Sequence, residues 1–267
     1  MLKRIIHLSD LHIGCEGLGE KFRYVASELA SLKDDKLDEY VIVITGDLVD
    51  DATKPSQYLE ARASIEFLKS LGFKHVLMVP GNHDYGTGNK ADERFVSLFK
   101  KTFFGKENVS YPKVDIIGDI AFFGLDSMAE EICGTDKHFS QGELGEAQLK
   151  RLKAELDKDD VKKMKKVVYL HHHPFDSFPL HELKDAGALK KIIANKVDAL
   201  LYGHNHRGRP GIGKWGIPLA FESGTTTGKP RPEIADIIPF FRISTDIRVI
   251  KLDAKPGERP YYELNYL

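Results

Sequence analysis

The sequence predicts an α/β fold in which parallel strands alternate with helices. Two observations support this prediction: five short apolar runs rich in β-branched residues, and segments of helical periodicity between several of them. Such runs are typical of strands that are buried on both faces of a parallel sheet. The chain has 267 residues, 42% of them hydrophobic, which is enough for one large domain or two small ones.

Each apolar run leads directly into polar residues with metal-binding side chains. The runs cover residues 4–8, 41–44, 75–79, 167–170 and 197–202. The polar residues that follow them are Asp10 and His12, Asp47, Asn82 to Asp84, His171 to His173, and His204 with His206. Because the carboxyl ends of parallel strands meet at one edge, we expect all five clusters to converge on one rim.

The segments between the runs predict helices. Residues 56–71 place Tyr58, Leu59, Ile65 and Leu68 at helical spacing, and Gly72 follows where a C-terminal cap is expected. Residues 147–156 carry a leucine stripe, and residues 188–194 form a shorter candidate helix.

After Arg207 the pattern changes to short strands joined by glycine- and proline-rich turns, at residues 217–221, 240–243, 247–252 and 261–266. We expect residues 215–267 to form antiparallel strands that complete a second sheet rather than a separate domain. Residues 1–267 are therefore predicted to form a single domain.

The charge balance and the cysteine content narrow the class of protein. With 39 basic and 40 acidic residues, the chain does not resemble a general polyanion binder, although nucleic acid remains allowed as a partner. The basic run Lys162 to Lys166 is interpreted as a solvated loop. The two cysteines cannot form a disulfide framework, no apolar run could cross a membrane, and the first strand leaves no room for a cleavable signal. We therefore expect a cytoplasmic protein without a membrane partner.

The polar clusters predict a site for two metal ions. Oxygen and nitrogen donors without thiolates favour divalent Mn, Fe, Zn or Co over a structural zinc site. Seven donors are too many for one tetrahedral ion but suit two ions that share a carboxylate and activate a water as hydroxide. This arrangement is typical of phosphate ester hydrolysis.

Asp47 or Asn82 alone would be interpreted as a turn residue, because Gly-Asp and Gly-Asn are common turn pairs. Five such strand ends together favour the metal site.

These motifs resemble, in order and spacing, the five blocks of the calcineurin-like metallophosphoesterases. The blocks are Asp10-x-His12, Gly46-Asp47, Gly81-Asn82-His83-Asp84, His172-x-Pro174 and Gly203-His204-x-His206. The resemblance implies a four-layer α/β/β/α sandwich of two mixed β-sheets flanked by helices. It also implies one metal at Asp10, His12 and His206, a second at Asn82, His172 and His204, and Asp47 as the bridge.

The resemblance implies further roles for residues of the same blocks. His83 would be a catalytic residue that is not a ligand and that stabilises the transition state or protonates the leaving oxygen, with Asp47 as the catalytic bridge. Asn82, His83 and His206 would bind substrate. Within the histidine triplet, the spacing to Pro174 selects His172, although His171 or His173 could serve instead. Strand alternation allows only one of two adjacent side chains to face the site.

The block that contains Asp84 is most similar to class III cyclic nucleotide phosphodiesterases, as is the segment around residues 139–149. The sequence therefore predicts a dinuclear metal-dependent hydrolase that cleaves cyclic nucleotides or small phosphodiesters by attack of a metal-bound hydroxide. The alternatives are a phosphomonoesterase, a DNA nuclease of the SbcD type, and a catalytically silent scaffold with the same fold. A homodimer is compatible with the sequence.

Three further groups of residues are assigned ordinary roles. Asp126 ends an apolar run and is predicted to be a turn or supporting acceptor rather than a ligand. Asp84 is predicted to hold a loop or to orient a histidine. Phe175, Phe178 and Trp215 could line a substrate pocket, but packing is the preferred interpretation.

Overall fold

Two five-stranded sheets form the centre of the molecule. A computed structural model describes residues 4–32, 36–88, 90–129, 141–175, 182–209, 212–228 and 245–266. The first sheet has the order β10 (Tyr261–Leu264), β9 (Ile247–Ile250), β1 (Arg4–Leu8), β2 (Tyr40–Thr45) and β3 (His75–Val79). The second has the order β4 (Lys113–Ile117), β5 (Ile120–Gly124), β6 (Lys165–Tyr169), β7 (Ala199–Tyr202) and β8 (Leu219–Glu222).

Helices cover the outer faces of the sheets. They are α1 (Leu18–Ala30), α2 (Pro55–Ser70), α3 (Glu93–Phe104), α4 (Glu146–Leu156), α5 (Asp159–Lys162) and α6 (Ala186–Ile193). The helices predicted at residues 56–71, 147–156 and 188–194 correspond to α2, α4 and α6. None of the helices in the described ranges is long and apolar enough to cross a membrane.

The alternation of side chains along β2 shows how the layers form. Val41 and Val43 pack in the core between the two sheets, where they belong to the same cluster as Val167 of β6. Ile42 and Ile44 point the other way and pack with residues of α1 and α2. On the far side, the outward residues of the second sheet pack with α4 and α6. Since successive side chains of a strand point to opposite faces of its sheet, each sheet packs against the other sheet on one face and against helices on the other. The result is the expected sandwich of two mixed sheets between helices.

The C-terminal strands differ from the prediction. We expected antiparallel strands that complete a second sheet, but β8 pairs parallel to β7. Strands β9 and β10 are antiparallel, and they extend the first sheet from β1. The predicted strand at residues 240–243 lies outside the described residues, as do Phe139, Ser140 and Phe178. The local pattern identified strands here, but it does not encode the partner of each strand.

Asp126, at the end of β5, is a buried turn acceptor. Its Oδ1 accepts from the backbone N–H of Met128 at 2.9 Å, and its Oδ2 accepts from the Tyr85 hydroxyl at 2.9 Å. This agrees with the role of a turn acceptor predicted from the sequence. Burial raises the pKa of Asp126 to about 6, so the folded protein binds this proton more tightly than the unfolded chain does.

The elevated pKa of Asp126 predicts a specific loss of stability as pH rises. The contribution of this group is fully present below pH 4 and is lost as pH rises through about 6. A shift of this size corresponds to about 3 kcal/mol. We expect Asp126→Asn to remove this component, measured as the free energy of unfolding in urea between pH 4 and 7.5 on metal-stripped protein. Asp119→Asn, on an exposed turn, is the control. An unchanged pH profile in Asp126→Asn would show that Asp126 is ionised throughout.

Candidate metal centre

The predicted site residues meet on a rim that both sheets share. Asp10 and His12 follow β1, Asp47 follows β2 and Asn82 follows β3, all in the first sheet. The histidine triplet follows β6, and His204 and His206 follow β7, in the second sheet. The strands are parallel within each set, so their carboxyl ends lie together.

The backbone is strained at most of these positions. Five predicted ligands have positive φ: Asp10 (53°), His12 (44°), Asp47 (51°), His204 (77°) and His206 (56°). In the described part of the chain, only two other non-glycine residues do, Asn195 and Trp215. Left-handed backbone costs a non-glycine residue about 1–2 kcal/mol. Strain that recurs at one place indicates a functional constraint there.

Four donors form the first cluster: Asp10, His12, Asp47 and His206. The Nε2 of His206 lies 3.1 Å from Asp10 Oδ1 and 3.3 Å from the Nε2 of His12. The His12 Nε2 is in turn 3.7 Å from Asp47 Oδ2. Two imidazole nitrogens and two carboxylates that face one point provide the mixed donor set that divalent transition metals favour.

A second cluster lies beside the first and is formed by Asn82, His171 and His204. The Asn82 Oδ1 is 2.9 Å from His171 Nε2 and 3.2 Å from His204 Nδ1. These two ring nitrogens are 3.2 Å apart. The Asn82 amide group donates from Nδ2 to the carbonyl of Gly88 at 2.8 Å, which directs its oxygen into the cluster.

Asp47 lies between the two clusters. Its Oδ2 is 3.5 Å from His171 Nε2 and 3.7 Å from His12 Nε2, while its Oδ1 accepts from the backbone N–H of His83. One carboxylate oxygen therefore faces both groups of donors, as a bridging ligand would. Burial raises the pKa of Asp47, but the imidazoles of His171, His83 and His12 outweigh it and hold that pKa below the ordinary value.

Asp10 is also held ionised. Burial again acts to raise its pKa, and the His206 imidazole beside it lowers the pKa of Asp10 below the ordinary range. Both carboxylates are thus charged at neutral pH and able to bind a cation.

Within the histidine triplet, the geometry favours His171 rather than the predicted His172. The Nδ1 of His171 donates to the Thr45 carbonyl at 2.7 Å, so its Nε2 is the nitrogen directed at Asn82 and Asp47. Metal-binding histidines typically have such a fixed tautomer. His172 turns its Nδ1 to the Ser127 hydroxyl at 2.8 Å, and its ring packs against His204.

The choice of His172 rested on spacing to Pro174 and stays a prediction, because His171, His172 and His204 all offer nitrogens close enough to share an ion. Both His171 and His172 have rings against that of His204, so strand alternation alone does not decide which of them is the ligand. His173 faces away from the metal centre, with its Nε2 3.5 Å from the buried Glu222 carboxylate.

His83 lies at the edge of the first cluster. Its Nδ1 donates to the Asp50 carbonyl at 2.6 Å, and its ring meets that of His12 edge-on, with centroids 4.7 Å apart. The side chain is partly exposed. Gly88 allows the close approach of this ring, because a Cβ at Gly88 would lie 2.5 Å from the His83 Nε2.

Asp50 is a site residue that the sequence analysis missed. Its Oδ1 lies 3.4 Å from His12 Nδ1, on the side of the ring opposite the cluster, and its carbonyl accepts from His83. A carboxylate at this nitrogen orients the ring and makes it a better ligand. The signal in the sequence is a second aspartate three positions after Asp47.

Asp84 holds two of the metal-binding loops together. Its Oδ1 accepts from the backbone N–H groups of Leu48 and Val49 at 2.9 and 3.1 Å, and its Oδ2 accepts from Gly81 at 2.8 Å. The side chain joins the loop after β2 to the loop after β3. Of the two predicted roles, the structure supports the one in which Asp84 holds a loop.

Phe175 and Trp215 pack in the outer core of the second sheet. Their rings are 4.5 Å apart, and Phe175 also contacts Tyr202. This is the packing role preferred from the sequence.

The donor set fits two divalent ions. The first would be held by Asp10, His12 and His206, and the second by Asn82, His171 and His204, with Asp47 between them. The tautomer of His171 and the amide orientation of Asn82 are both set by backbone carbonyls, so these donors are arranged before any ion binds.

Comparisons with known proteins agree with this site. Residues 3–208 match the family described as calcineurin-like phosphoesterase. A curated relative, an uncharacterized metallophosphoesterase of Helicobacter pylori, is 24% identical over 251 residues, which cover 82% of this chain and 56% of the relative. The chain thus spans little more than half of that relative's length.

Solved structures with low identity share the fold. A dimetal phosphatase from Danio rerio has a TM-score of 0.62 at 12% identity, with 100% of this chain and 99% of that chain covered. A putative 5'-nucleotidase from Staphylococcus aureus has a TM-score of 0.58 at 15% identity, with 98% of this chain and 53% of that chain covered. Together with the family match over most of the chain, the rim of ionised aspartates and oriented histidines identifies this protein as a member of the calcineurin-like phosphoesterase family.

Proposed function

We propose that this protein is a dinuclear metal-dependent phosphodiesterase that acts on small phosphodiesters, with cyclic nucleotides as the first candidates. The proposal that two metal ions bind rests on the position of Asp47, whose Oδ2 lies within 3.7 Å of donors in both clusters. Family membership supports phosphate ester hydrolysis in general. The choice of diesters rests on the resemblance of residues 81–84 to class III phosphodiesterases.

The two ions, when bound, would acidify a water molecule as the nucleophile and neutralise charge on the phosphoryl oxygens. The protein contributes by placing its donors before substrate arrives. Asp10 and Asp47 are already ionised, and the bond from His171 Nδ1 to the Thr45 carbonyl directs the His171 Nε2 at Asn82 and Asp47. Little reorganisation is then needed at the moment of reaction, which is the main source of electrostatic catalysis.

His83 is the residue best placed to act on the substrate rather than on an ion. Its Nδ1 is committed to the Asp50 carbonyl, so its Nε2 is the nitrogen left for a substrate oxygen. The side chain is partly exposed at the edge of the cluster, whereas Asp10, His12 and Asp47 are buried. An imidazole in this position can stabilise the transition state or donate a proton to the leaving oxygen.

A substrate panel tests the proposed activity. Metal-stripped protein would be supplied with Mn and assayed on bis-p-nitrophenyl phosphate, p-nitrophenyl phosphate, cyclic AMP and single-stranded DNA. We expect turnover of the diester and of cyclic AMP, and none by Asp47→Ala, because that variant lacks the carboxylate between the clusters. Cleavage of DNA alone would instead assign a nuclease, and turnover of the monoester alone a phosphatase. No turnover of any substrate would favour the scaffold.

The assignment of His171 is tested by a matched pair of variants. His171→Ala is expected to weaken one of two Mn sites by about 100-fold or more, because a residue that binds the ion directly matters at least as much as its supporting partners. His172→Ala should weaken that site less, since it is the His171 Nε2 that faces both Asn82 and Asp47. Calorimetric titration with Mn measures both. The reverse result would restore His172 as the ligand.

His83→Ala is expected to bind Mn as the wild type does and to lose about 100-fold or more in kcat, the usual cost of removing a group that acts in the transition state. Steady-state kinetics on the most active diester, with Mn titration in parallel, would measure both effects. Loss of a metal site in this variant would make His83 a ligand and contradict the proposed role.

A further inference from the structure

The first metal cluster depends on the relative position of the two sheets. Asp10 and His12 follow β1 in the first sheet, whereas His206 follows β7 in the second. The apolar core between the sheets is non-directional. Directional contacts near the rim are therefore needed to hold His206 at 3.1 Å from Asp10.

Arg248 makes such a contact. It lies on β9 in the first sheet, opposite His7 of β1, and its side chain is fully buried. Its Nη1 donates to the carbonyl of Glu222, on β8 of the second sheet. Its Nη2 donates to the carbonyl of Gly208 at 2.6 Å, two residues beyond His206, and to the Asp246 carboxylate.

Glu222 also stabilises the loop that carries His206. Its buried carboxylate accepts from the backbone N–H of Arg207 at 3.1 Å, and its backbone N–H donates to the Arg209 carbonyl at 3.0 Å. Two buried charged side chains thus bind Arg207 and Gly208, and the Glu222 backbone binds Arg209. The planar guanidinium suits this task, because it can reach carbonyls on two elements and a carboxylate at once.

A second link joins the sheets on the other side of the same cluster. The buried Thr226 follows β8, and its Oγ1 donates to the Ser9 carbonyl at 2.9 Å and accepts from the Ser9 N–H at 3.1 Å. The Thr227 hydroxyl donates to the Leu11 carbonyl at 2.7 Å. Both residues that flank Asp10 are thus tied to the second sheet.

The second metal cluster has its own links. The Nδ1 of His171 in the second sheet bonds the Thr45 carbonyl in the first, at 2.7 Å. His204 follows Gly203, whose N–H donates to the His171 carbonyl at 2.9 Å. Arg248 makes none of these contacts, but the two clusters are joined near Asp10. The His204 N–H donates to Asp10 Oδ2 at 3.2 Å, and the Ser9 hydroxyl donates to the same Thr45 carbonyl at 3.2 Å.

We propose that Arg248 and Thr226 are positioning residues that set the geometry of the first metal cluster across the two sheets and that act on the second cluster only indirectly, through Asp10 and Ser9. This inference rests on the dinuclear function proposed above. Burying an arginine is costly, and removal of one partner from a buried charge network is usually destabilising. The specific consequence here is a selective effect on one of two metal sites.

Calorimetric titration of metal-stripped protein with Mn tests the proposal on Arg248→Met and Thr226→Val. We expect each variant to weaken one of two Mn sites by about 10–100-fold, the usual effect of removing a partner behind a metal ligand. The other site should lose much less affinity, because Arg248 and Thr226 reach it only through Asp10 and Ser9. Arg4→Met is the matched control, because Arg4 bonds Tyr262 at the opposite end of β1 from the metal centre and should leave both sites unchanged.

Thermal unfolding of the metal-free proteins separates positioning from general destabilisation. A merely structural role would lower the Tm and weaken both sites together, which would overturn the proposal. It is also overturned if both variants bind two Mn ions with wild-type affinity. If Arg248→Met does not fold, the Mn titration of Thr226→Val alone tests the proposal. A wild-type protein that binds no Mn would instead contradict the proposed function, and this inference with it.

Discussion

The organisation of this protein depends on one buried carboxylate that two groups of imidazoles share. Asp47 is almost fully buried, and its Oδ2 faces His12 on one side and His171 on the other. An ionised carboxylate removed from water needs compensating charge or hydrogen bonds close by. The neighbouring histidines supply this compensation and keep the pKa of Asp47 low despite its burial. The same arrangement would let Asp47 contribute to holding a cation in each cluster.

Several donors on the rim adopt strained backbone conformations, and contacts with the surrounding structure stabilise these conformations. Asp10, His12, Asp47, His204 and His206 all adopt left-handed φ, which folded proteins tolerate only where the neighbouring structure determines it strongly. Asp84 provides part of that support by accepting three backbone N–H groups from two loops. The contacts of Thr226 with Ser9 and of Arg248 with Gly208 provide the rest across the sheets.

Several parts of the fold were readable from local pattern. The alternating strands and the helices α2, α4 and α6 followed from periodicity, and α1 could have been found in the same way, since Phe22, Val25, Ala26 and Leu29 form its buried stripe. Helices and strands depend on the spacing of residues within a short window, which can be read from the sequence. The choice of partner for each strand does not depend on such local spacing. Strands β8, β9 and β10 have similar local patterns, yet β8 joins β7 in the second sheet, whereas β9 joins β1 and β10 joins β9 in the first.

The sequence by itself determined which donors are available and that they follow strand ends, because residue type and strand polarity are properties of the chain. Only the tertiary structure decided which histidine of the triplet faces Asn82, because His171 and His172 differ in the direction of their side chains and not in their chemistry. It also decided the roles of Asp50 and Arg248. Asp50 contacts His12 because β1 and β2 are neighbours in the first sheet. Arg248 reaches Gly208, in the segment between β7 and β8, only because the two sheets pack face to face.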